Sequence, residues 1–288
     1  VIRLISFVCM DTNIKHFLQH AFEEDIGDGD HSSLACIPPE KINKAKLLVK
    51  EEGVLAGVEM AKIIFNYIDP SVKIKVLIED GSNVRYGDEV FYVSGPAQSI
   101  LKCERIVLNC MQRMSAIATK TKQAVDLLKG LDTKILDTRK TTPGIRFMEK
   151  WAVRIGGGEN HRTGLFDMIM LKDNHIDYAG GIENAILKTN AYLQSTGKNL
   201  KIEIETRNLN ELKTVLSIGK VDRIMLDNFS FKDLRKAVEL IHGQFETEAS
   251  GGINMATIRQ YAECGVDYVS MGALTHSVHN MDMSLKAM

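Results

Sequence analysis

Cationic side chains concentrate in the middle of the chain, beside glycines and at the ends of short apolar runs. Arg139 and Lys140 close the run KILDTRK, His161 and Arg162 follow the glycines of IGGGENHRTG, and Lys172 follows the apolar residues of DMIMLKDNH. Isolated lysines and arginines are usually solvated surface charges. Clustered cations repel one another unless an anion lies among them, and arginine binds carboxylates and phosphates in a bidentate manner. If the fold brings these groups together, the sequence predicts a site for a ligand with several negative charges.

Carboxylates form a second candidate group. Glu203 and Glu205 lie two residues apart in KIEIET and therefore share one face of a strand, while Asp227 ends IMLD. Glu205 and Asp227 are candidates to bind hydroxyls or Mg²⁺, or to stabilise a developing positive charge. The alternative is an internal salt bridge to Lys140 or Lys172, and the two roles are compatible.

Two glycine-containing segments follow late apolar runs. EASGGI places Ser250, Gly251 and Gly252 after one run, and SMGALTHS places Gly272 after the next. Glycine lets the backbone approach a ligand, and a following helix offers unpaired N–H groups to an anion. These segments are predicted phosphate-binding loops, with ordinary turns as the alternative.

The elements that must position these groups change character near residue 103. Residues 11–103 contain alternating runs with turn signals and one helical segment, EMAKIIFNYI, which favours a mixed domain with a half-exposed sheet. From residue 103 a long helix is predicted to residue 130, and apolar runs then recur roughly every 20 to 35 residues with helices between them. This rhythm is typical of βα units around a parallel sheet. The six runs are KILDTRK (134–140), DMIMLKDNH (167–175), KIEIETRN (201–208), DRIMLDN (222–228), FETEASGG (245–252) and DYVSMGA (267–273).

Polar residues stand at the carboxyl end of nearly every run. Ligands bind at that end in closed (β/α) barrels and in open doubly wound sheets alike. The sequence has no GxGxxG after a first strand and no GxxxxGK[ST], which favours the barrel. Six strands are fewer than eight, so either a strand is hidden or the barrel is incomplete. The opening VIRLISFVCM is too short to span a bilayer, and we expect it to form a first strand.

Composition argues against several functional classes. Lys and Arg total 36 against 37 Asp and Glu, for a net charge of -1, so the basic excess typical of nucleic-acid binding is missing. Five cysteines show no CxxC and no zinc-like spacing, which indicates reduced thiols in the cytoplasm. His31, His242 and His279 have no histidine four residues away and no GxSxG occurs, so a zinc site or a hydrolase elbow is not expected. Neither a membrane nor a nucleic acid is an expected partner.

The motifs resemble the quinolinate phosphoribosyltransferase family, also called carboxylating nicotinate-nucleotide pyrophosphorylases. The resemblance runs in order from about residue 103 to residue 276 and is weak before that. It is carried by ERIVLNCMQRMSAIAT (104–119), DTRKTTPGIRFMEKWAVRIGGGENHRTGLFDMIMLKDNH (137–175), IEIET (202–206), IMLDNF (224–229) and EASGGI (248–253).

The resemblance implies an α/β fold with two domains. These are an N-terminal α/β sandwich domain over residues 1–103, with which the tail 275–288 is expected to pack, and an incomplete α/β barrel of about seven strands over residues 104–274. It also implies an obligate homodimer, with assembly into hexamers left open. The implied reaction transfers phosphoribosyl from phosphoribosyl pyrophosphate to quinolinate, with Mg²⁺, and yields nicotinate mononucleotide, pyrophosphate and CO₂ in NAD biosynthesis.

The resemblance also assigns roles by position. The implied quinolinate-binding residues are cationic, with Arg105 reaching in from the neighbouring subunit: Arg105, Arg139, His161, Arg162 and Lys172. The implied phosphoribosyl pyrophosphate site comprises Lys140, Glu205, Asp227, Ser250, Gly251, Gly252, Gly272 and His276. Of these, Lys140, Glu205 and Asp227 are the expected catalytic residues, and the two carboxylates would hold Mg²⁺ directly or through water. Gly156 to Gly158 would then give the backbone freedom to turn His161 and Arg162 into the barrel mouth.

Two other functions stay open. A phosphoribosyltransferase for a monocarboxylate such as nicotinate would need fewer cations. A non-catalytic sensor of a phosphorylated metabolite would keep the cations but would tolerate loss of Glu205 or Asp227.

Overall fold

The computed structural model describes the backbone of residues 2–288 and the side chains of residues 12–288. The chain divides into two compact units. Unit 1 comprises the chain up to Lys122 together with Thr141–Gly157 and Leu274–Met288, and unit 2 comprises Gln123–Lys140 and Gly158–Ala273. The units therefore interleave along the sequence.

Helices and strands are numbered in chain order. The helices are α1 (Ile2–Ile26), α2 (His31–Cys36), α3 (Val58–Ile68), α4 (Ala97–Leu127), α5 (Arg146–Ile155), α6 (Asp173–Ala179), α7 (Ile182–Thr196), α8 (Leu209–Ile218), α9 (Phe231–Ile241), α10 (Ile258–Ala262) and α11 (Ala273–His276). The strands are β1 (Ile42–Val49), β2 (Gly53–Val54), β3 (Lys73–Val76), β4 (Asn83–Val84), β5 (Glu89–Pro96), β6 (Lys134–Leu136), β7 (Ile169–Leu171), β8 (Ile202–Thr206), β9 (Arg223–Asp227), β10 (Glu246–Ser250), β11 (Tyr268–Ser270) and β12 (Met283–Ala287).

Unit 1 is built on an antiparallel sheet of order β12-β1-β5-β3. The alternating run KAKLLV buries Ala45, Leu47 and Val49 on one face, as a period of two requires. Helix α3 lies on this sheet, with the rings of Phe65 and Phe91 edge to face at 6.4 Å between centroids. Strand β12, from the C-terminal end of the chain, pairs with β1 and completes the sheet.

The expectation of a first strand at the start of the chain is wrong. From Ile2 onward this segment is the first part of helix α1. The reason lies further along, where Ile14, Leu18 and Phe22 are buried at intervals of four residues and form the apolar stripe of a helix. Neither glycine nor proline separates that stripe from the opening residues, so the helix extends backward through them. Val1 and the side chain of Cys9 lie outside the described residues.

Unit 2 contains a parallel sheet of order β6-β11-β10-β9-β8-β7. Each of the six predicted runs contributes one strand, and an isolated parallel bridge between Leu136 and Glu159 adds a seventh position beside β6. The predicted fold class, a sheet-based N-terminal domain with an incomplete α/β barrel, is confirmed. The strands are shorter than the runs because the polar residues at the carboxyl ends leave the sheet.

The strand register separates an apolar face of the parallel sheet from a charged face. Ile204 pairs with Ile224 on one face, and Glu203 pairs with Arg223 on the other. The apolar face is covered by helices, with α8 packed against β8. Charged groups therefore point into the barrel, where they need partners because the interior excludes water.

Helix α4 begins at Ala97, six residues before the predicted start, and ends at Leu127. Arg105 therefore lies in the third turn of the helix rather than at its opening. Among the described residues, no helix combines the length and apolarity that a membrane crossing requires.

Candidate active site

Cations of unit 2 follow the carboxyl ends of the parallel strands, as predicted. Arg139 and Lys140 follow β6, and Lys172 follows β7. His161 and Arg162 follow the bridge at Glu159, beside β6. His161 nevertheless reaches strands β8 and β10, so the sheet curls far enough for its two edges to share one lumen.

Arg162 is partly buried and lies near a second guanidinium group, that of Arg139. Its Nη1 donates to the Met168 carbonyl oxygen at 3.3 Å. Burial lowers the pKa of Arg162, and the positive charge of Arg139 lowers it further. Two guanidinium groups that oppose each other's charge favour an anion between or beside them.

Asp137 fixes the segment that carries His161. Its fully buried carboxylate accepts the His161 N–H at 2.8 Å and the Asn160 Nδ2–H at 2.6 Å. Sequence reasoning missed Asp137 as a site residue. The sequence signal for Asp137 was its position directly after the apolar run KIL, at the carboxyl end of a predicted strand.

Four charged or titratable side chains meet inside the barrel, and we refer to them as the lumen cluster: His161, Glu203, Arg223 and Glu248. His161 Nε2 lies 3.0 Å from Glu203 Oε2 and 3.2 Å from Glu248 Oε2, while Arg223 Nη1 lies 3.3 Å from Glu248 Oε2. The two histidine contacts are close but lack the alignment of hydrogen bonds. His161, Glu203 and Glu248 also form a group of potential metal ligands whose ligand atoms lie within 4.8 Å of one another.

Burial and the close charges shift the pKa values in this cluster. Burial disfavours the charged ring, but Glu203 and Glu248 outweigh it and raise the pKa of His161 to about 9. Burial and the nearby Glu248 raise the pKa of Glu203 to about 7. The pKa of Glu248 is lowered, because His161, Ser270 and Arg223 together outweigh the effect of its burial.

Glu205 and Asp227 lie near the ends of the adjacent strands β8 and β9. Lys172 Nζ donates to Glu205 Oε2 at 3.1 Å, so the salt bridge considered from the sequence is present. Asp227 Oδ2 accepts from Asn228 Nδ2 at 2.6 Å. Both carboxylates offer the oxygen ligands that Mg²⁺ prefers, so their chemistry fits the predicted metal.

The segment after β10 brings two backbones together. Asn228 N–H donates to the Ser250 carbonyl oxygen at 2.9 Å. Gly251 has a φ of +100°, and a Cβ there would lie 2.8 Å from the Asn228 nitrogen. Only glycine therefore fits this position without displacing Asn228. A helix follows this segment as expected, but α10 begins only at Ile258, six residues after Gly252.

The glycines before His161 have separate functions. Gly157 takes a φ of +90°, which is the backbone freedom that was predicted. Gly156 instead allows close packing on α4, because a Cβ there would lie 2.5 Å from the Ala118 carbonyl oxygen and 2.6 Å from Thr121 Cβ.

Two predicted site residues belong to unit 1. Arg105 is exposed on α4, and His276 is exposed at the end of α11 with Nδ1 at 2.7 Å from Ser277 Oγ. The remaining predicted residues lie in unit 2.

A buried ion pair in unit 1 organises the chain next to two of these residues. Glu149 accepts from Arg113 Nε and Nη2 at 2.9 and 2.8 Å, and from the Thr142 N–H and hydroxyl at 3.0 and 2.9 Å. Arg113 Nη2 also donates to the Thr275 carbonyl oxygen at 2.5 Å. The pair therefore fixes the segment just after Lys140 and the residue just before His276.

Comparison with known families decides the affiliation of the chain. The N-terminal domain of quinolinate phosphoribosyl transferase matches residues 30–115, and the C-terminal domain of the same family matches residues 117–286. The chain belongs to the quinolinate phosphoribosyltransferase family.

Relatives of this quinolinate phosphoribosyltransferase family member agree over nearly its whole length. It is 47% identical to the chloroplastic carboxylating nicotinate-nucleotide pyrophosphorylase of Oryza sativa, over 95% of this chain and 77% of the rice protein. It is 42% identical to a probable carboxylating nicotinate-nucleotide pyrophosphorylase of Bacillus subtilis, over 94% of this chain and 92% of that protein. The crystal structure of NadC from Streptococcus pyogenes superposes with a TM-score of 0.89 at 39% identity, covering 96% of this chain and 97% of that one.

Proposed function

We propose that this chain transfers the phosphoribosyl group of phosphoribosyl pyrophosphate to quinolinate and releases CO₂. The products are nicotinate mononucleotide and pyrophosphate, and the reaction serves NAD biosynthesis. Family membership supports the activity. The observation that carries the choice of substrate is that Arg139 lies close enough to Arg162 for its charge to lower the pKa of Arg162, because two neighbouring guanidinium groups suit a ligand with two carboxylates.

Quinolinate is held by cations of the barrel mouth. Arg139 and Arg162 grip its carboxylates, and Lys172 adds a third positive charge that Glu205 orients through the 3.1 Å hydrogen bond. The bound ring then presents its nitrogen to the sugar in one orientation, so the entropy cost of orienting the two reactants is met on binding.

The first chemical step forms a carbon–nitrogen bond and breaks a carbon–oxygen bond. The pyridine nitrogen donates its electron pair to the anomeric carbon of the ribose, and pyrophosphate leaves with the electrons of the broken bond. Positive charge grows on the sugar, where the carboxylates of Glu205 and Asp227 stabilise it. Lys140, which follows β6, stabilises the negative charge on the departing pyrophosphate.

The second step is loss of CO₂. The quaternised ring accepts the electron pair of the breaking carbon–carboxylate bond, and the ring carbon then takes up a proton. The arginine that grips the carboxylate must release it as CO₂, while the other carboxylate stays bound and keeps the ring in place.

Mg²⁺ is the proposed cofactor. Glu205 and Asp227 would hold it directly or through water, since both supply oxygen ligands near the ends of neighbouring strands. When bound, it neutralises the charge of the pyrophosphate group.

The proposed assembly is a homodimer, with hexamers as a further possibility, in which Arg105 enters the site of the neighbouring subunit. Its exposure on α4 supports that role. Mixing inactive Arg105→Ala and Arg139→Ala subunits should restore activity, because each mixed dimer then contains one site with both arginines. No recovery after verified subunit exchange contradicts a shared site.

The proposed location is the cytoplasm. The four cysteines with described side chains are free, in keeping with a reducing compartment.

The activity is tested by comparing two pyridine acids under one condition. Purified protein with phosphoribosyl pyrophosphate and Mg²⁺ is given quinolinate or nicotinate, and mononucleotide is measured. We expect product from quinolinate, loss of product in Arg162→Ala, and normal product in the surface control Arg235→Ala. Product from nicotinate alone indicates the monocarboxylate enzyme, and quinolinate binding without turnover indicates a sensor.

A further inference from the structure

Both ring nitrogens of His161 contact protein groups. Nδ1 accepts the Arg162 backbone N–H at 2.6 Å, and Nε2 lies against Glu203 and Glu248 at 3.0 and 3.2 Å. The side chain is only 4% exposed. A ligand carboxylate could meet a ring nitrogen only after one of these contacts was broken.

The two carboxylates beneath the ring are held by different strands. Glu203 lies on β8 and Glu248 on β10, and both are fully buried. Arg223 Nη1 on β9 lies 3.3 Å from Glu248 Oε2. The strands of the barrel, rather than a loop, therefore fix the position of Nε2.

Burying two adjacent carboxylates inside the barrel costs free energy of folding. Oε1 of each meets no hydrogen-bond donor among the described residues, and such groups lose their hydration without replacement. Apolar side chains of similar volume would serve stability equally well or better. The arrangement therefore indicates a function at the site above it.

We propose that Glu203 and Glu248 are positioning residues of the quinolinate site that act through His161 on Arg162. The carboxylates hold the ring, and Nδ1 holds the Arg162 backbone, so the guanidinium meets the ligand carboxylate at a fixed place. His161 thereby supports Arg162 from below. The inference rests on the proposed function, because it concerns the same substrate.

Isosteric substitutions separate this role from general stability. Glu203→Gln and Glu248→Gln keep the volume and remove one charge each. We expect Kd and KM for quinolinate to rise at least about tenfold, since a small misplacement of a binding group is enough, and KM for phosphoribosyl pyrophosphate to stay within about twofold. Glu246→Gln is the matched control, because Glu246 lies on the same strand and binds the same Arg223 but does not contact His161.

A double-mutant cycle decides whether the carboxylates act through the ring. Calorimetry gives Kd for quinolinate in wild type, Glu248→Gln, His161→Ala and the double variant. The proposal requires that Glu248→Gln add no further loss in the His161→Ala background, because the ring that transmits its effect is gone. Additive losses, or wild-type affinity in both glutamine variants, overturn it.

Two further measurements distinguish failure of this inference from misfolding of a variant and from failure of the proposed function. Circular dichroism identifies a variant that does not fold, and either glutamine variant alone is sufficient for the test. If both fail to fold while Glu246→Gln folds, the carboxylates are structural and the proposal is overturned. Wild-type turnover of quinolinate is measured alongside, so an inactive wild type rejects the proposed function, whereas an active wild type with additive losses rejects only this inference.

Discussion

Raising the pH from 6.5 to 9 is expected to destabilise the protein through the lumen cluster. In the folded chain, Glu203 and Glu248 outweigh burial and raise the pKa of His161 from 6.5 to about 9. The folded state thus keeps a proton that the unfolded chain releases. The corresponding stabilisation is complete below about pH 6.5 and is lost as the pH rises through about 9. At about 1.4 kcal/mol per pH unit, the loss is about 3 kcal/mol.

This expectation does not depend on which atom carries the proton. The Arg162 N–H contact at Nδ1 favours a ring with that nitrogen unprotonated, which places the additional proton on the carboxylate side. Linkage counts the protons bound by the cluster as a whole, so a proton shared between the ring and the carboxylates leaves the sign of the pH dependence the same.

Urea unfolding followed by far-ultraviolet circular dichroism measures the effect. The free energy of unfolding is compared at pH 6.5 and pH 9 for wild type, His161→Gln and the surface control His279→Gln. Wild type and the control should lose about 3 kcal/mol more than His161→Gln over this interval. The interval ends at pH 9 because burial raises the pKa values of Cys103 and Cys110 to about 12, and unfolded thiols ionise near 9. Parallel pH dependence in wild type and His161→Gln would show that the cluster binds no additional proton.

Three substitutions elsewhere have separate expected outcomes. Arg162→Ala should weaken quinolinate binding at least about tenfold by calorimetry, since a charge-assisted contact is lost, and unchanged affinity with a normal circular dichroism spectrum removes it from the site. Glu149→Ala should lower the free energy of unfolding by about 3 kcal/mol, because Arg113 loses its buried partner, and a loss below about 1 kcal/mol argues against that pair. Gly251→Ala should cost more than about 1 kcal/mol, since the backbone has a positive φ and the methyl group meets Asn228, and a neutral thermal shift contradicts this packing.

The barrel strands were predictable because their signal is local. Each apolar run is short, ends in polar residues and is separated from the next by a helix, so the strands and the parallel sheet could be predicted. Alternation also showed that Glu203 and Glu205 share a face. All these features depend on neighbours within one run.

The lumen cluster was not predictable in the same way. His161 meets Glu203 and Glu248 only because the sheet curls until the segment beside β6 faces strands β8 and β10. Residue spacing does not encode that curvature. Helix α1 was missed for a different reason, since the buried residues that identify it as a helix, Ile14, Leu18 and Phe22, lie outside the short opening window that suggested a strand.

The fate of one carboxylate tests the assigned reaction. Quinolinate labelled with ¹³C in the carboxylate next to the ring nitrogen is incubated with the protein, phosphoribosyl pyrophosphate and Mg²⁺, and labelled CO₂ and mononucleotide are counted together. Decarboxylating phosphoribosyl transfer requires one labelled CO₂ for each nicotinate mononucleotide, with no label left in the nucleotide. A mononucleotide that keeps the label, or CO₂ released without mononucleotide, would contradict the assignment.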